Sequence, residues 1–273
     1  MITQIDVTAP SGDVLNLNMT DWSNGFSIQD VDGLGPVKAT ITSSSFAKID
    51  GTQYQSSRRE SRNILLKIGI EANYTTTTVR SLRETLYDYF MPNREVTLRF
   101  HVDNDLEVII SGRVESCTPD IFAKDPVVDI SIICFDPDFV EETAESFSGS
   151  SVDTDTVIPF TYAGTVDTGM VFTINIDRSV SSFTIYHTPP DGTIRSLDFA
   201  MSLSAGDVVQ IRTVRGDKFV ANTREDVTYS VLYAMSPQSN WIEFSRGDNT
   251  FRVYATGAAL SYTVSYFNRY GGL

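Results

Sequence analysis

The sequence of 273 residues has few of the side chains that perform covalent chemistry. Its two cysteines, Cys117 and Cys134, are too few for a disulfide framework and lack the spacing of a zinc site or a CxxC redox pair. Its two histidines, His101 and His187, lie near no recognisable nucleophile, and no serine stands in a G-x-S-x-G elbow. We therefore expect two reduced thiols in the interior, structural histidines and no enzymatic activity.

Signatures of nucleotide, metal and membrane binding are also missing. There is no P-loop and no G-x-G-x-x-G after a strand, and no apolar run approaches the ~20 residues of a membrane helix. The start, Met1–Asp6, lacks the pattern of a secretory signal. Asp30–Gly33 and Asp103–Asp105 resemble only fragments of calcium loops and are better explained as turns. The sequence predicts no cofactor, no metal and no membrane partner, and a chain made in the cytoplasm.

Basic residues are scarce relative to acids. The chain has 21 Lys and Arg against 35 Asp and Glu, a net charge of −14, which disfavours nonspecific nucleic-acid binding because that binding depends on neutralising phosphates. Between Lys124 and Arg178 there are eleven acids and no base, so the rest of the chain carries only −3. This acidic block is either a negative face that repels polyanions or a solvated linker.

The first half of the sequence has the pattern of β-structure with one helix. The strand-like runs are Val14–Met19, Val37–Thr42, Arg62–Ile70, Glu95–Phe100, Leu106–Ser111 and Val127–Ile133. The polar connection at Asp103–Asp105 predicts a hairpin between two of these runs. Apolar residues at helical spacing, a preceding threonine run and the stop at Pro92 predict one amphipathic helix within Thr78–Met91.

The second half predicts a separate β-domain. Residues 141–156 are rich in Ser, Thr, Asp and Glu and follow the turn-like Asp136–Asp138, so we place a domain boundary near residue 140, between domains 1–139 and 140–273. Beyond it, short strands alternate with turns that contain Gly or Pro, which favours a β-sandwich. Its alternating aromatic residues fit a sandwich core better than sugar stacking. The predicted fold class is mainly β with one α-helix.

One basic segment stands out in this acidic chain. It is the polar loop predicted for Ser43–Arg62, which contains Tyr54, Arg58 and Arg59. Its charge is opposite in sign to the acidic block, so a head-to-tail contact between copies of the chain is physically reasonable, with a solvated loop as the alternative. We predict that Tyr54, Arg58, Arg59 and Arg62 lie at a subunit interface.

Short motifs along the whole chain occur in an order typical of a known family. They are Asp50–Tyr54, Phe90–Asn93, Ile110–Val114, Ile132–Phe139, Ala205–Ile211, Trp241, Ser245–Thr250 and Tyr266–Leu273. Each motif is weak by itself. In this order and spacing the sequence resembles the distal tail proteins of long-tailed bacteriophages.

This resemblance implies a structural role in the virion, with no cofactor. Such proteins form a hexameric ring at the end of the tail tube, with N-terminal domains like the β-barrel or sandwich of tube subunits and C-terminal galectin-like sandwiches that project outward. The implied partners are further copies of the chain, the major tail tube protein, the tail tip or hub protein and the tape measure protein. The ring is assembled in the host cytoplasm, and DNA only passes through its channel, where a negative or neutral lumen would not retain it.

Two other functions are compatible with the composition. A carbohydrate-binding module of a host-recognition protein would also be acidic, all-β and rich in aromatic residues. A tail-associated hydrolase would need a cleft with carboxylates of perturbed pKa. The two Arg-Gly-Asp triplets, at 215–217 and 246–248, are better explained as turns than as adhesion motifs.

Overall fold

A computed structural model describes residues 1–48, 50–103, 106–121, 123–152, 154 and 156–273, and the chain in it divides into two compact units. Unit 1 comprises Met1–Glu142 and Gly271–Leu273, and unit 2 comprises Thr143–Tyr270. Unit 2 is therefore inserted into unit 1 and joined to it by two chain connections. The sequence predicts a boundary near residue 140, and the second crossing, after Tyr270, has no signal in the sequence.

Unit 1 consists of one large sheet, one helix and a separate hairpin. Its elements are β1 (Ile2–Thr8), β2 (Val14–Asn18), β3 (Phe26–Asp32), β4 (Ala39–Ser44), β5 (Gln53–Arg59), β6 (Arg62–Ile70), α1 (Val79–Phe90), β7 (Glu95–Val102), β8 (Leu106–Pro119), β9 (Val127–Cys134) and β10 (Phe139–Glu141). The sheet order is β2-β1-β7-β8-β9-β6-β3, and β10 pairs with the first part of β8. This path does not close within the described residues, so unit 1 is an open sheet and not a barrel.

The strands of this sheet bury one face. In β6, Ile64, Leu66 and Ile68 are buried while the residues between them are exposed, as period-2 alternation requires for a half-buried strand. Strands β7 and β8 pair as the predicted hairpin. Two residues of its turn, Asn104 and Asp105, lie outside the described residues.

The predicted helix is confirmed as α1. The hydroxyl of Thr78 accepts the N–H of Ser81 and caps the first turn. Leu82, Leu86 and Phe90 form one buried stripe at four-residue spacing, and α1 lies against β6 and β8. Among the described residues, no helix has the length and apolar character needed to cross a membrane.

Strands β4 and β5 form a two-stranded sheet of their own, apart from the main sheet of unit 1. We name residues 39–59 the arm. No described residue of the arm is buried, and every residue of β5 is exposed. The prediction of a loop over Ser43–Arg62 is therefore wrong for Gln53–Arg59, which is β5 of a β-hairpin, whereas the strand predicted to begin at Arg62 is confirmed as β6. Because neither face of β5 is buried, its sequence lacks the apolar alternation by which strands are recognised.

Unit 2 is a β-sandwich, as predicted. Its elements are β11 (Glu145–Ser150), β12 (Ile158–Tyr162), β13 (Thr168–Asn175), β14 (Val180–Thr188), β15 (Arg195–Leu203), β16 (Val208–Arg212), β17 (Phe219–Arg224), β18 (Val227–Ser230), a short 3₁₀ helix (Leu232–Ala234), β19 (Glu243–Phe244), β20 (Gly247–Tyr254), β21 (Ser261–Tyr266) and β22 (Arg269–Tyr270). One sheet runs β11-β21-β13-β16-β17-β18, with β19 also paired to β13, and the other runs β12-β20-β14-β15.

The two sheets of unit 2 enclose one apolar core rich in aromatic rings. Phe172, Phe183, Phe244 and Phe251 are buried there and contact one another or further rings edge-on, tilted or stacked. Most of the aromatic residues of this half are thus core residues. Strand β11 lies within the segment that the sequence marks as a polar boundary, because it is an edge strand whose one bulky apolar side chain, Phe147, packs on the core.

His187 is a neutral core histidine of unit 2. Its Nε2 lies 2.9 Å from Oδ1 of Asn249, and the Asn249 amide group donates to the carbonyls of Ser245 and Gly247. Nε2 therefore carries the proton and donates to Asn249. Burial lowers the pKa of His187, and the hydrogen bond to Asn249 opposes this effect without cancelling it.

We expect the stability of unit 2 to fall as the pH drops from about 7 to about 5. Because the pKa of His187 is lower in the folded unit than its unfolded value of ~6.5, the unfolded state takes up the proton first. Above about pH 6.5, His187 is neutral in both states and does not lower the free energy of unfolding of unit 2. Below it, this free energy decreases by up to ~1.4 kcal/mol per pH unit. Urea unfolding followed by Trp241 fluorescence in a Trp22→Phe background measures it, and His187→Gln should flatten the slope. An unchanged slope in His187→Gln would assign the pH dependence to other groups.

Candidate assembly interface

The arm exposes large apolar side chains to solvent. Ile41 on β4 is 66% exposed, Tyr54 on β5 is 62% exposed and Phe46 in the tip is 53% exposed. An isolated two-stranded hairpin is at best marginally stable in water, and here neither sheet face is covered. Exposed apolar residues grouped on such an element are typical of a surface that another molecule covers.

The register of the hairpin separates the arm into two faces. Ile41 lies opposite Ser57, and side chains of directly opposed residues project on the same side of a sheet. The Tyr54 hydroxyl is 2.9 Å from the Ser57 hydroxyl, which places Tyr54 on that side too. We name this the apolar face. The other face, the polar face, carries Thr40 and Thr42 with their partners Arg58 and Ser56.

Residues at the base of the arm fix its position on unit 1. Arg59 forms a two-pronged ion pair with Asp138, whose side chain is almost fully buried, with Nη2 2.9 Å from Oδ2. The N–H of Glu60 donates to the carbonyl of Lys38, and the hydroxyl of Thr40 donates to the Glu60 carboxylate. Arg59 therefore anchors the arm within its own chain.

The structure corrects one of the four predicted interface residues. The side chain of Arg62 is inside unit 1, where the residue is 1% exposed, so it cannot contact a neighbouring subunit in this fold. Tyr54 and Arg58 are exposed, the Arg58 side chain to 80% and 3.8 Å from Glu60. A count of charges places Arg58, Arg59 and Arg62 in one basic segment, whereas their side chains have three different environments.

Arg62 joins three separate segments of unit 1. Its guanidinium donates to the carbonyls of Gly33 and Gly35 before the arm, of Pro137 after β9, and of Gly271 at the return of the chain to unit 1. The last three of these bonds, to Pro137, Gly35 and Gly271, measure 2.7 Å each. Its charge also lies 4.4 Å from the centre of the Phe139 ring. Burial lowers the pKa of Arg62, yet a guanidinium remains protonated at neutral pH.

Gly33 explains how these carbonyls converge. Its φ of +86° lies in the left-handed region, and a Cβ there would overlap the backbone carbonyl oxygen of Asn63. Only glycine allows this close approach of the segment before the arm to β6. The N–H of Leu273 donates to the carbonyl of Leu34 at 3.0 Å, which adds the last residues to the same junction.

The outer face of the main sheet in unit 1 is polar and mainly acidic. Cross-strand pairs place Lys67 between Asp30 and Asp129, and a shallow groove runs past these three residues. The acids on this face are Asp6, Asp30, Asp32, Glu95, Glu107, Glu115 and Asp129, and the bases are Lys67, Arg99 and Arg113 with His101. This face is a negatively charged surface several strands wide.

The acidic block of the sequence does not form one continuous surface. Asp138 is paired with Arg59, and Glu142 is paired with Arg99. The other acids of the block are divided between unit 1 and unit 2, and Asp153 and Asp155 lie outside the described residues. The negative face of unit 1 therefore draws most of its acids from earlier in the chain.

The described residues contain no candidate metal site, and both cysteines are protonated thiols. Across the described residues, no three His, Cys, Asp or Glu side chains come together in a way that could hold a metal ion. Cys117 and Cys134 are free, and burial raises the pKa of both thiols to about 11, which keeps them protonated. Sequence reasoning missed Ile41 and Phe46, because one apolar residue in a polar segment becomes a signal only when the structure shows it exposed.

Comparisons with known proteins identify both units. Residues 163–270 match the family described as siphovirus-type tail component, C-terminal domain, and residues 17–114 match the phage tail protein RIFT-related domain. These two matches span about three quarters of the chain. The Dit protein of phage SPP1, described as a paradigm of the hub adsorption apparatus in phages that infect Gram-positive bacteria, has a similar fold, with a TM-score of 0.67 and 15% identity over 97% of this chain and 98% of that one.

A further solved structure has weaker similarity. A protein of the phage P2 baseplate in its activated conformation with Ca covers all of both chains with a TM-score of 0.49 and 10% identity. No curated protein gives a significant match to this chain.

Proposed function

The chain belongs to the siphovirus-type tail components and is a structural protein of a phage distal tail, and from this premise we propose that its copies close into a hexameric ring between the tail tube and the tail tip. Unit 1 builds the ring and unit 2 forms its periphery. The partners are the neighbouring copies, the major tail tube protein, the hub protein and the tape measure protein. The site of action is the virion, after assembly in the host cytoplasm.

The arm is the observation that carries this proposal. A hairpin with both faces exposed and with Ile41 and Tyr54 open to solvent gains stability when another molecule covers it. In the proposed ring, each copy gives one arm and receives another on a different part of its surface. Such a head-to-tail contact closes into a ring when the rotation between copies fits.

The negative outer face of unit 1 is the proposed lining of the channel. DNA is a polyanion, and a wall that carries acids such as Asp30, Asp32 and Asp129 gives it no phosphate-neutralising contacts. DNA then passes without specific binding. The apolar face of the same sheet is covered by its own core and by α1, so it is not available to line a channel.

Electron microscopy of the purified chain, and of tails that contain it, tests the ring. We expect six-fold rings with a central opening, placed at the distal end of the tail tube, and a solution mass of six chains where rings form without the tail. Tails that show this chain as an isolated appendage, with no annular density around the axis, would exclude the proposed role.

A further inference from the structure

We propose that the apolar face of the arm, with Ile41 and Tyr54, is buried on a second copy of this chain, while the polar face, with Arg58, stays hydrated and steers the approach of the two copies. This inference rests on the proposed ring. It assigns a different role to each face of the arm. The apolar face sets the affinity between the copies, and the polar face sets the rate at which they associate.

The apolar face has the composition of a surface that is buried on assembly. Burial removes the exposed area of Ile41 and Tyr54 from water, which is the main favourable contribution to association. Tyrosine is also suited to such a contact, because its ring is apolar and its hydroxyl is already satisfied by Ser57. The polar face offers hydroxyls and one guanidinium, which lose favourable hydration if they are buried without partners.

Charge complementarity favours another copy of this chain as the partner. The arm has three bases, Lys48, Arg58 and Arg59, against one acid, Asp50, so it carries +2 while the rest of the chain carries −16. Arg59 is paired with Asp138, whereas Arg58 on the polar face has a side chain that is 80% exposed and lies 3.8 Å from Glu60, an exposed pair that solvent screens. An acidic body of the same sequence attracts this arm over several ångströms before any contact forms.

The two faces respond differently to salt. Attraction between exposed charges is screened over ~10 Å at 0.1 M salt and ~3 Å at 1 M, and it acts mainly on the rate of association. Burial of apolar area is not screened, and it acts mainly on the rate of dissociation. Arg58 should therefore influence assembly at low salt only, whereas Ile41 and Tyr54 should influence it at every salt concentration.

Adjacent residues of the arm provide a matched test. Ile41→Asp and Thr42→Asp introduce the same charge at neighbouring positions on opposite faces of β4. We measure the fraction of chains in rings by mass photometry of the full chain and by electron microscopy of tails, at about 0.05 M and 1 M salt. Ile41→Asp and Tyr54→Ser should each raise the concentration for half-assembly by roughly tenfold or more at both salts. Thr42→Asp should change it less than threefold at 1 M salt.

Arg58→Glu tests the polar face in the same assay, with the fraction of chains in rings followed over time. It should slow assembly several-fold at about 0.05 M salt and match the wild type at about 1 M. Equal loss of rings in Arg58→Glu at both salts, or equal behaviour of Ile41→Asp and Thr42→Asp at 1 M, overturns the inference. A chain in which an Asn-Gly turn replaces residues 41–57 of the arm separates the two proposals. If it forms rings, the arm is not the contact. If it fails while Ile41→Asp assembles normally, only the division into faces is wrong.

Discussion

Replacing Arg62 with alanine is expected to lower the free energy of unfolding of unit 1 by about 3–5 kcal/mol, because a charged group that satisfies several buried partners is removed. The four carbonyls that its guanidinium binds, at residues 33, 35, 137 and 271, lose their donor, and the Phe139 ring loses the cation above it. Domains are commonly stable by 5–15 kcal/mol, so much of the stability of unit 1 depends on this one side chain.

Hydrogen exchange measured by mass spectrometry reports the stability of unit 1 and of unit 2 separately in one experiment. Peptides from β6 and β9 should exchange faster in Arg62→Ala, while peptides from β13 and β21 in unit 2 report no change. Arg62→Lys should recover only a small part of the protection against exchange, because one lysine ammonium cannot reach all the carbonyls that the planar guanidinium of Arg62 binds. Arg58→Ala is the control, expected within about 0.5 kcal/mol of the wild type. Unchanged protection in Arg62→Ala would show that water replaces the guanidinium at this junction.

Removing the outer arm is expected to abolish ring formation and to leave both units folded. Thr40 and Arg58 are opposed in the hairpin, so an Asn-Gly turn in place of residues 41–57 joins them with a short loop that suits antiparallel strands. The anchor from Arg59 to Asp138 and the junction at Arg62 remain. The deleted residues include Ile41, Phe46 and Tyr54, and with them the exposed apolar surface of the arm.

Solution mass and hydrogen exchange separate assembly from folding in this variant. The shortened chain should remain a monomer at concentrations where the full chain forms rings, with unchanged exchange in the main sheet of unit 1 and in unit 2. A mixture with excess shortened chain should also interrupt rings of the full chain, because each shortened copy receives an arm and gives none. Complete rings built from the shortened chain would show that other surfaces hold the copies together.

The different environments of Arg58, Arg59 and Arg62 could not be predicted from the sequence. Arg58, Arg59 and Arg62 are one basic cluster in the sequence, yet Arg58 is solvated, Arg59 anchors the arm and Arg62 is buried. Residue type gives the charge of a side chain but not its distance from residues 75 to 209 positions away, such as Pro137 and Gly271. A buried guanidinium needs hydrogen-bond acceptors, and for Arg62 these are carbonyls far away in the sequence, so no local sequence pattern predicts its burial.

Local periodicity, by itself, determined the helix, the β6 strand, the β7–β8 hairpin and the sandwich character of unit 2, because each of these buries one face and the pattern of apolar residues follows that face. Only the tertiary structure decided that β5 is a strand, that residues 271–273 return to unit 1, and which residues the arm exposes. These features bury no face of their own or depend on partners far along the chain. A strand that buries no face leaves no apolar alternation in the sequence, and contacts over long sequence separation are absent from short-range patterns.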